Sequence, residues 1–165
     1  KTMSYQEKRT ILSVISGVLL LAAYSIYAFG KAGMANLDNL VFWAKTMLIF
    51  IGIGIVAHII IQIIFHIALS VGMAVKQKLK DETCDDKEIE KSIEQEMVED
   101  EMGKLIELKA NKIGHSFVGF GFLAGLIALV LGASAVVMLN ILFFSSGIGS
   151  IVEGLVQIRY YRKGV

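Results

Sequence analysis

The chain has 165 residues, of which 55% are hydrophobic, and it contains no proline. Soluble globular domains are about 45–50% apolar, so this composition favours an integral membrane protein over an ordinary soluble domain. The net charge is only +1, but eleven of the fifteen acidic residues lie between Asp81 and Glu101.

The first apolar segment runs from Ile11 to Phe29, directly after a short polar and basic stretch. A helix needs about 20 apolar residues to cross a bilayer, which this segment nearly provides. A secretory signal has a shorter apolar core of about 7–15 residues, so we expect a retained membrane helix over residues 11–29. Lys31–Asn39 (KAGMANLDN) then predicts a short connection to an antiparallel neighbour.

The second apolar segment, residues 40–75, carries a single charge, Lys45, near its beginning. Trp43 lies where an indole is expected at a membrane interface. The segment is longer than a bilayer requires, so we expect the helix to tilt or to project beyond the membrane.

Residues 76–112 form a charged segment, in which Ile89, Ile93 and Met97 recur every fourth residue. This spacing predicts one or two amphipathic helices outside the membrane. The segment is either a solvated helical linker or, over residues 81–112, a docking surface for a cytoplasmic protein partner. Its acidic residues would repel phosphates, so we expect no binding to nucleic acid. The single cysteine, Cys84, is interpreted as a reduced cytoplasmic thiol.

The chain is apolar again from Phe117 to Ile158, a length sufficient for two spans. We prefer a turn at Gly132–Ser134, with Asn140 as the alternative, giving helices at about residues 113–131 and 137–158. Aromatic and basic residues follow at the end of the fourth helix, where interface anchors are common.

These segments predict an all-α, polytopic membrane protein with four transmembrane helices in two hairpins. The first hairpin is residues 1–75 and the second is residues 113–165, with residues 76–112 as the helical linker between them. Twelve Lys and Arg residues flank the spans on one side, whereas only Lys31 and Lys45 lie on the other. By the positive-inside rule, both termini and the linker are expected to be cytoplasmic.

Small residues recur at helical spacing in the second hairpin and predict close helix packing. They are Gly121 and Gly125 in the third helix, and Ser146, Ser150 and Gly154 in the fourth. We expect these two faces to pack together within one protomer. The alternative is a homodimer formed through one of them.

Four polar residues inside the apolar spans are the candidate ligand-binding residues: His58, Gln62, His66 and Glu153. The first three share one face of a helix, because they are four residues apart. A contact between His66 and Glu153 is expected if the second and fourth helices adjoin. The alternative to this contact is a Glu153 that is protonated or that reaches toward Arg159. The stripe itself is interpreted as hydrogen-bonding neighbouring helices, with a pathway for a small molecule, an ion or protons as the alternative.

Neither a metal site nor a cofactor is expected from these residues. His58 and His66 lie about 12 Å apart along a helix, too far to bind one metal ion. A haem would need a histidine from another helix, so a haem- or quinone-binding redox protein is the less favoured alternative. The sequence has no Gly-rich phosphate loop and no His-Glu-x-x-His motif, so we expect a non-enzymatic binding, regulatory or accessory protein.

The stretches Glu99–Ala110 (EDEMGKLIELKA) and Gly119–Phe122 (GFGF), with Ser4–Arg9 and Tyr160–Val165, together carry a resemblance. They resemble small four-span membrane proteins of unknown function from Gram-positive bacteria. Members often have an arginine after the Asp-Glu pair, where this chain has Met102. The resemblance implies a bacterial cytoplasmic membrane and four helices. Some members resemble accessory proteins, which favours a regulatory or sensing role. It implies no activity.

Overall fold

The computed structural model describes residues 5–80 and 101–164, and that part of the chain is helical with short connections. Four helices are long and apolar enough to cross a membrane, which confirms the predicted all-α protein with four membrane spans. The helices are α1 (Tyr5–Ala28), α2 (Lys31–Met34), α3 (Leu40–Lys80), α4 (Glu101–Val130) and α5 (Ala135–Lys163).

α3 extends slightly beyond the predicted residues 40–75, and α4 begins well before the predicted start of the third span. α3 continues without interruption to Lys80, and α4 begins at Glu101 rather than near residue 113. No proline interrupts either helix, and Gly103 is the only glycine between residues 101 and 113. Residues 101–112 therefore continue directly into the third span. The amphipathic pattern predicted from Ile89 to Met97 lies outside the described residues.

The turn between α4 and α5 occupies residues 131–134, which confirms the preferred turn at Gly132–Ser134. Gly132 has a φ of 90°, a conformation that glycine adopts without the steric cost that other residues incur. Ser134 caps α5, because its hydroxyl oxygen accepts from the amide of Val137 at 3.4 Å. A glycine and a helix cap thus define this turn chemically.

The connection between α1 and α3 is held by two asparagines. Asn39 accepts a hydrogen bond from the amide of Phe42 at 3.1 Å, and so begins α3. The indole of Trp43 donates to the carbonyl oxygen of Asn36 at 3.0 Å, which ties α3 back to the connection. Trp43 is almost fully buried there.

The long helices pack in the order α3, α1, α5, α4, each antiparallel to the next. α5 lies between α1 and α4 and also contacts α3, whereas α4 packs chiefly against α5 and α3 chiefly against α1. We name the end of the bundle where α1 begins and α5 ends the Arg162 end, and the opposite end the Trp43 end. The arrangement is an open row, with α3 and α4 on the outside.

α4 and α5 approach most closely through glycine. A Cβ atom at Gly114 would lie 2.8 Å from the carbonyl oxygen of Gly149, and one at Gly149 would lie 2.6 Å from that of Gly114. Farther along, a Cβ atom at Gly121 would overlap the side chain of Ser145. Without a side chain at these positions the two backbones touch, which is the usual basis of tight helix packing in membranes.

α5 uses a second glycine face against α1. Gly147 packs on Leu21, and Gly154 packs on Val14. Gly154 was predicted to face the third helix with Ser146 and Ser150, but both of those serines are exposed. The face of α5 toward α4 runs instead through Ser145 and Gly149, one residue earlier in each case. One residue changes the direction of a side chain by about 100° on a helix, so the predicted face points away from α4.

Most of the surface is apolar and exposed, as contact with a lipid bilayer requires. None of the residues in the most apolar 18-residue stretch of α3 is buried within the described part of the molecule. The buried core is small and centres on Tyr24, Ala28, Trp43 and Met47 at the Trp43 end. Lipid would bury the rest of the apolar surface.

Replacing Gly121 with leucine should destabilise the bundle, because the new side chain would overlap Ser145 on α5. Overpacking of this kind costs about 1–3 kcal/mol. The same replacement at Gly119 is the matched control, since a Cβ atom there meets nothing within 4 Å. The free energy of unfolding in detergent micelles measures both, and equal losses for the two variants would contradict the packing described.

Candidate functional site

A partly buried ion pair joins the beginning of α1 to the end of α5. The Nε atom of Arg162 donates to Oε1 of Glu7 at 2.5 Å. The side chain of Glu7 is 8% exposed and that of Arg162 is 57% exposed, so the carboxylate is enclosed while the guanidinium reaches solvent. Charge-assisted hydrogen bonds are among the stronger polar contacts in proteins, so this pair helps to fix α1 against α5.

A chain of polar side chains continues from this pair into the bundle. The hydroxyl of Thr10 donates to its own helix at Gln6 and lies 3.5 Å from Oε1 of Gln157. The Nε2 atom of Gln157 in turn donates to Oε1 of Glu153 at 3.4 Å. Both distances are at the outer limit for hydrogen bonds, so each contact is weak. The contact of Thr10 with Gln157 joins α1 to α5, whereas that of Gln157 with Glu153 lies within α5.

Glu153 faces α4. Its Cβ atom lies 2.9 Å from the place where Gly114 would carry a side chain, so the absence of one makes room for the carboxylate. The polar groups of α4 around it are Glu107, Asn111 and His115. Glu153 thus completes a polar cluster that crosses from α1 through α5 to α4 at the Arg162 end.

The other three candidate residues lie elsewhere. His58, Gln62 and His66 are exposed on α3, with the Nε2 atoms of His58 and Gln62 2.8 Å apart. Within the described residues, no hydrogen bond or ion pair joins His66 to Glu153. The expected contact does not form, because α5 meets α3 mainly at the Trp43 end while Glu153 faces Gly114 on α4.

The Trp43 end contains a polar contact that the sequence interpretation missed. The hydroxyl of Tyr24, which is fully buried, donates to Oδ1 of Asn140 at 2.7 Å. The rings of Phe50, Phe143 and Phe144 surround Tyr24, with ring centres 4.2–5.6 Å from it. The sequence predicts Asn140 only as an alternative turn position, although a polar amide within an apolar span can itself indicate a buried partner.

A cavity of about 500 Å³ opens beside this contact. Its walls come from the end of α1, from α2 and its loop, from Trp43 on α3, and from the first turns of α5. Asp38, Ser134 and Asn140 are the polar residues in its lining, and the rest is apolar or aromatic. Because the Asn140 oxygen already accepts from Tyr24 and the Ser134 oxygen caps α5, the cavity presents a mainly apolar surface.

The described residues contain no group of three His, Cys, Asp or Glu side chains that could hold a metal ion. Comparisons with protein-family models, with curated proteins and with solved structures found no match to this chain. Inference about function therefore depends on the arrangement of the residues themselves.

Replacing Arg162 with alanine should destabilise the bundle, because the enclosed carboxylate of Glu7 loses its guanidinium partner. Hydrogen bonds to charged groups contribute about 1.5–3 kcal/mol, and we expect a loss of about that size. Arg159, also basic and exposed, is the matched control, and its alanine variant should change stability by less than about 0.5 kcal/mol.

Unfolding in detergent micelles would give both values. A double variant with Glu7→Gln should be less destabilised than the sum of the single variants, because the two residues interact directly. Strict additivity would show that the pair makes no energetic contribution.

Proposed function

We propose that this chain is a non-enzymatic, membrane-anchored binding or regulatory protein. It presents its acidic segment, which we define as residues 81–101, to a cytoplasmic protein partner. The observation that carries the proposal is the length of α3, which runs unbroken for 41 residues. At 1.5 Å per residue this helix is about 60 Å long, roughly twice the thickness of a bilayer core. Such a helix can cross the bilayer and also extend beyond it.

The register of the helices supports a projection at the Arg162 end. The ring of Phe65 on α3 packs on that of Tyr5, the first described residue of α1, and the two ring centres are 5.8 Å apart. α3 continues past Phe65 to Lys80, which adds about 22 Å of helix beyond the beginning of α1. α4 likewise begins at Glu101, well before the apolar part of its span. Both ends of the acidic segment are therefore attached to helices.

The charge of the segment favours a basic protein surface as the partner. Eleven acidic residues lie between Asp81 and Glu101, against only Lys87 and Lys91. An excess of one sign of charge increases the rate at which an oppositely charged partner associates, and it disfavours nucleic acid. The resemblance to small four-span membrane proteins of Gram-positive bacteria favours a bacterial cytoplasmic membrane. The likeness of some members of that group to accessory proteins favours a regulatory role.

A small-molecule, ion or proton pathway lined by His58, Gln62, His66 and Glu153 receives less support. Such a pathway requires these side chains to share one space, but the first three are exposed on α3 and Glu153 faces α4. A haem- or quinone-binding role has no specific observation in its favour.

The proposed orientation can be tested with the single natural cysteine. With both termini and the acidic segment in the cytoplasm, a membrane-impermeant maleimide should label Cys84 only after the cells are permeabilised. A Cys84→Ser, Asp38→Cys variant is the matched control, because residue 38 lies in the connection between α1 and α3 at the opposite end. It should be labelled in intact cells. Labelling of Cys84 in intact cells would refute the orientation.

The partner can be tested by neutralising the acidic segment. In cells that express the full chain with an affinity tag, we expect in-cell crosslinking to capture a defined protein. Replacing the eleven acids of residues 81–101 with Asn and Gln should reduce that capture at least tenfold, because the electrostatic attraction is removed. Asp38→Asn serves as the control that leaves the segment intact. Unchanged capture after neutralisation would exclude the acidic segment as the docking surface.

A further inference from the structure

The polar stripe of α3, which we define as His58, Gln62 and His66, borders the face of α3 that packs on α1 and is itself exposed. The positions of α3 that contact or approach α1, including Gly54 and Phe65, are partly buried, whereas all three residues of the stripe are exposed. α3 is the outermost helix of the row on this side. The described part of the chain therefore leaves the stripe uncovered.

Two residues of the stripe lie at the depth of the apolar spans. Gly54 packs on Leu20 in the middle of α1, and Phe65 packs on Tyr5 at its beginning. His58 and Gln62 lie between these two levels, beside the apolar part of α1, while His66 lies near the level of Tyr5. Lipid chains offer no hydrogen bonds at that depth, so exposed imidazole and amide groups there are unfavourable.

The contact between His58 and Gln62 satisfies only part of this requirement. Their Nε2 atoms, 2.8 Å apart, share one hydrogen bond. The amide of Gln62 has a second N–H and a carbonyl oxygen, and the ring of His58 has a second nitrogen. These remaining groups point to a partner that offers both donors and acceptors at the same depth.

We propose that the polar stripe is the interface with a second copy of this chain, in which two α3 helices pack side by side. Two copies inserted in the same direction bring each residue of the stripe opposite its own counterpart. A glutamine amide carries a donor and an acceptor, so two Gln62 side chains can hydrogen-bond reciprocally across a two-fold axis. Neutral histidines have the same self-complementarity. The surface thus matches itself.

The apolar residues beside the stripe fit the same geometry. Ile55, Ile59, Gln62 and His66 follow alternating spacings of four and three residues, the pattern of a seam between two parallel helices. Ile55 and Ile59 are 57% and 51% exposed, so they are available for this contact. The glycine faces of the second hairpin are not available for contact with a second copy, because α1, α4 and α5 already occupy them.

The test uses the purified full chain in liposomes, where no other protein is present. In a Cys84→Ser background, Ile59→Cys places a thiol at the edge of the stripe, and Ile60→Cys places one at the next position, about 100° around the helix and away from the stripe. Both isoleucines are about half exposed, so they form a matched pair. A short thiol-specific crosslinker should give a covalent dimer with Ile59→Cys and little with Ile60→Cys.

Adding Gln62→Leu to the Ile59→Cys variant tests the polar contribution. Hydrogen bonds between membrane helices contribute modestly, so we expect the association constant, measured by dilution with lipid, to fall about 3- to 20-fold. Ile63→Leu is the control at the neighbouring position and should leave association unchanged.

Equal crosslinking of the two cysteine variants would indicate random collision and overturn the proposal. An association constant that Gln62→Leu leaves unchanged would overturn it as well. Crosslinking to a different protein in native membranes, with none between copies in liposomes, would assign the stripe to a heterologous partner and overturn it as well.

Discussion

The close approach of α5 to its two neighbours is the contact on which the rest of the fold depends. Gly149 lets the backbone of α4 touch α5, and Gly147 and Gly154 receive side chains of α1 on another face. In lipid no hydrophobic force drives helices together, so dispersion contacts over a glycine surface supply much of the attraction, together with the polar contacts between α1 and α5. Because both faces are on one helix, α5 sets the positions of α1 and α4 simultaneously.

The four spans and the second turn could be predicted because their signals are local. Each span is a run of apolar residues about as long as a bilayer is thick, and Gly132 and Ser134 carry the chemistry of a turn and a helix cap. The predicted packing face of α5 was less accurate for a physical reason. Ser145 and Ser146 differ by one residue but by about 100° around the helix, and only the partner's position determines which of them is buried.

The contacts of the candidate site were also not predictable from the sequence, because they depend on which helices are neighbours. The sequence identifies Glu153 and His66 as polar residues within apolar spans, but it does not reveal which helices adjoin. The order α3, α1, α5, α4 places Glu153 beside Gly114, and it leaves His66 exposed on the outermost helix. The sequence pattern does not identify Glu7, Gln157 and Asn111, because their importance comes from tertiary contacts rather than from any motif.

In this open row, the helices differ in how many of their faces pack on neighbouring helices. α5 has two faces packed on α1 and α4, and α1 is held between α3 and α5, so each of them contacts two neighbouring helices. α3 has one committed face, a polar stripe on another, and an extension to Lys80 beyond the beginning of α1. The same helix thus offers lateral contact within the membrane and reach outside it. Association through the stripe would bring two acidic segments close together, and their mutual repulsion would favour a basic partner that binds both.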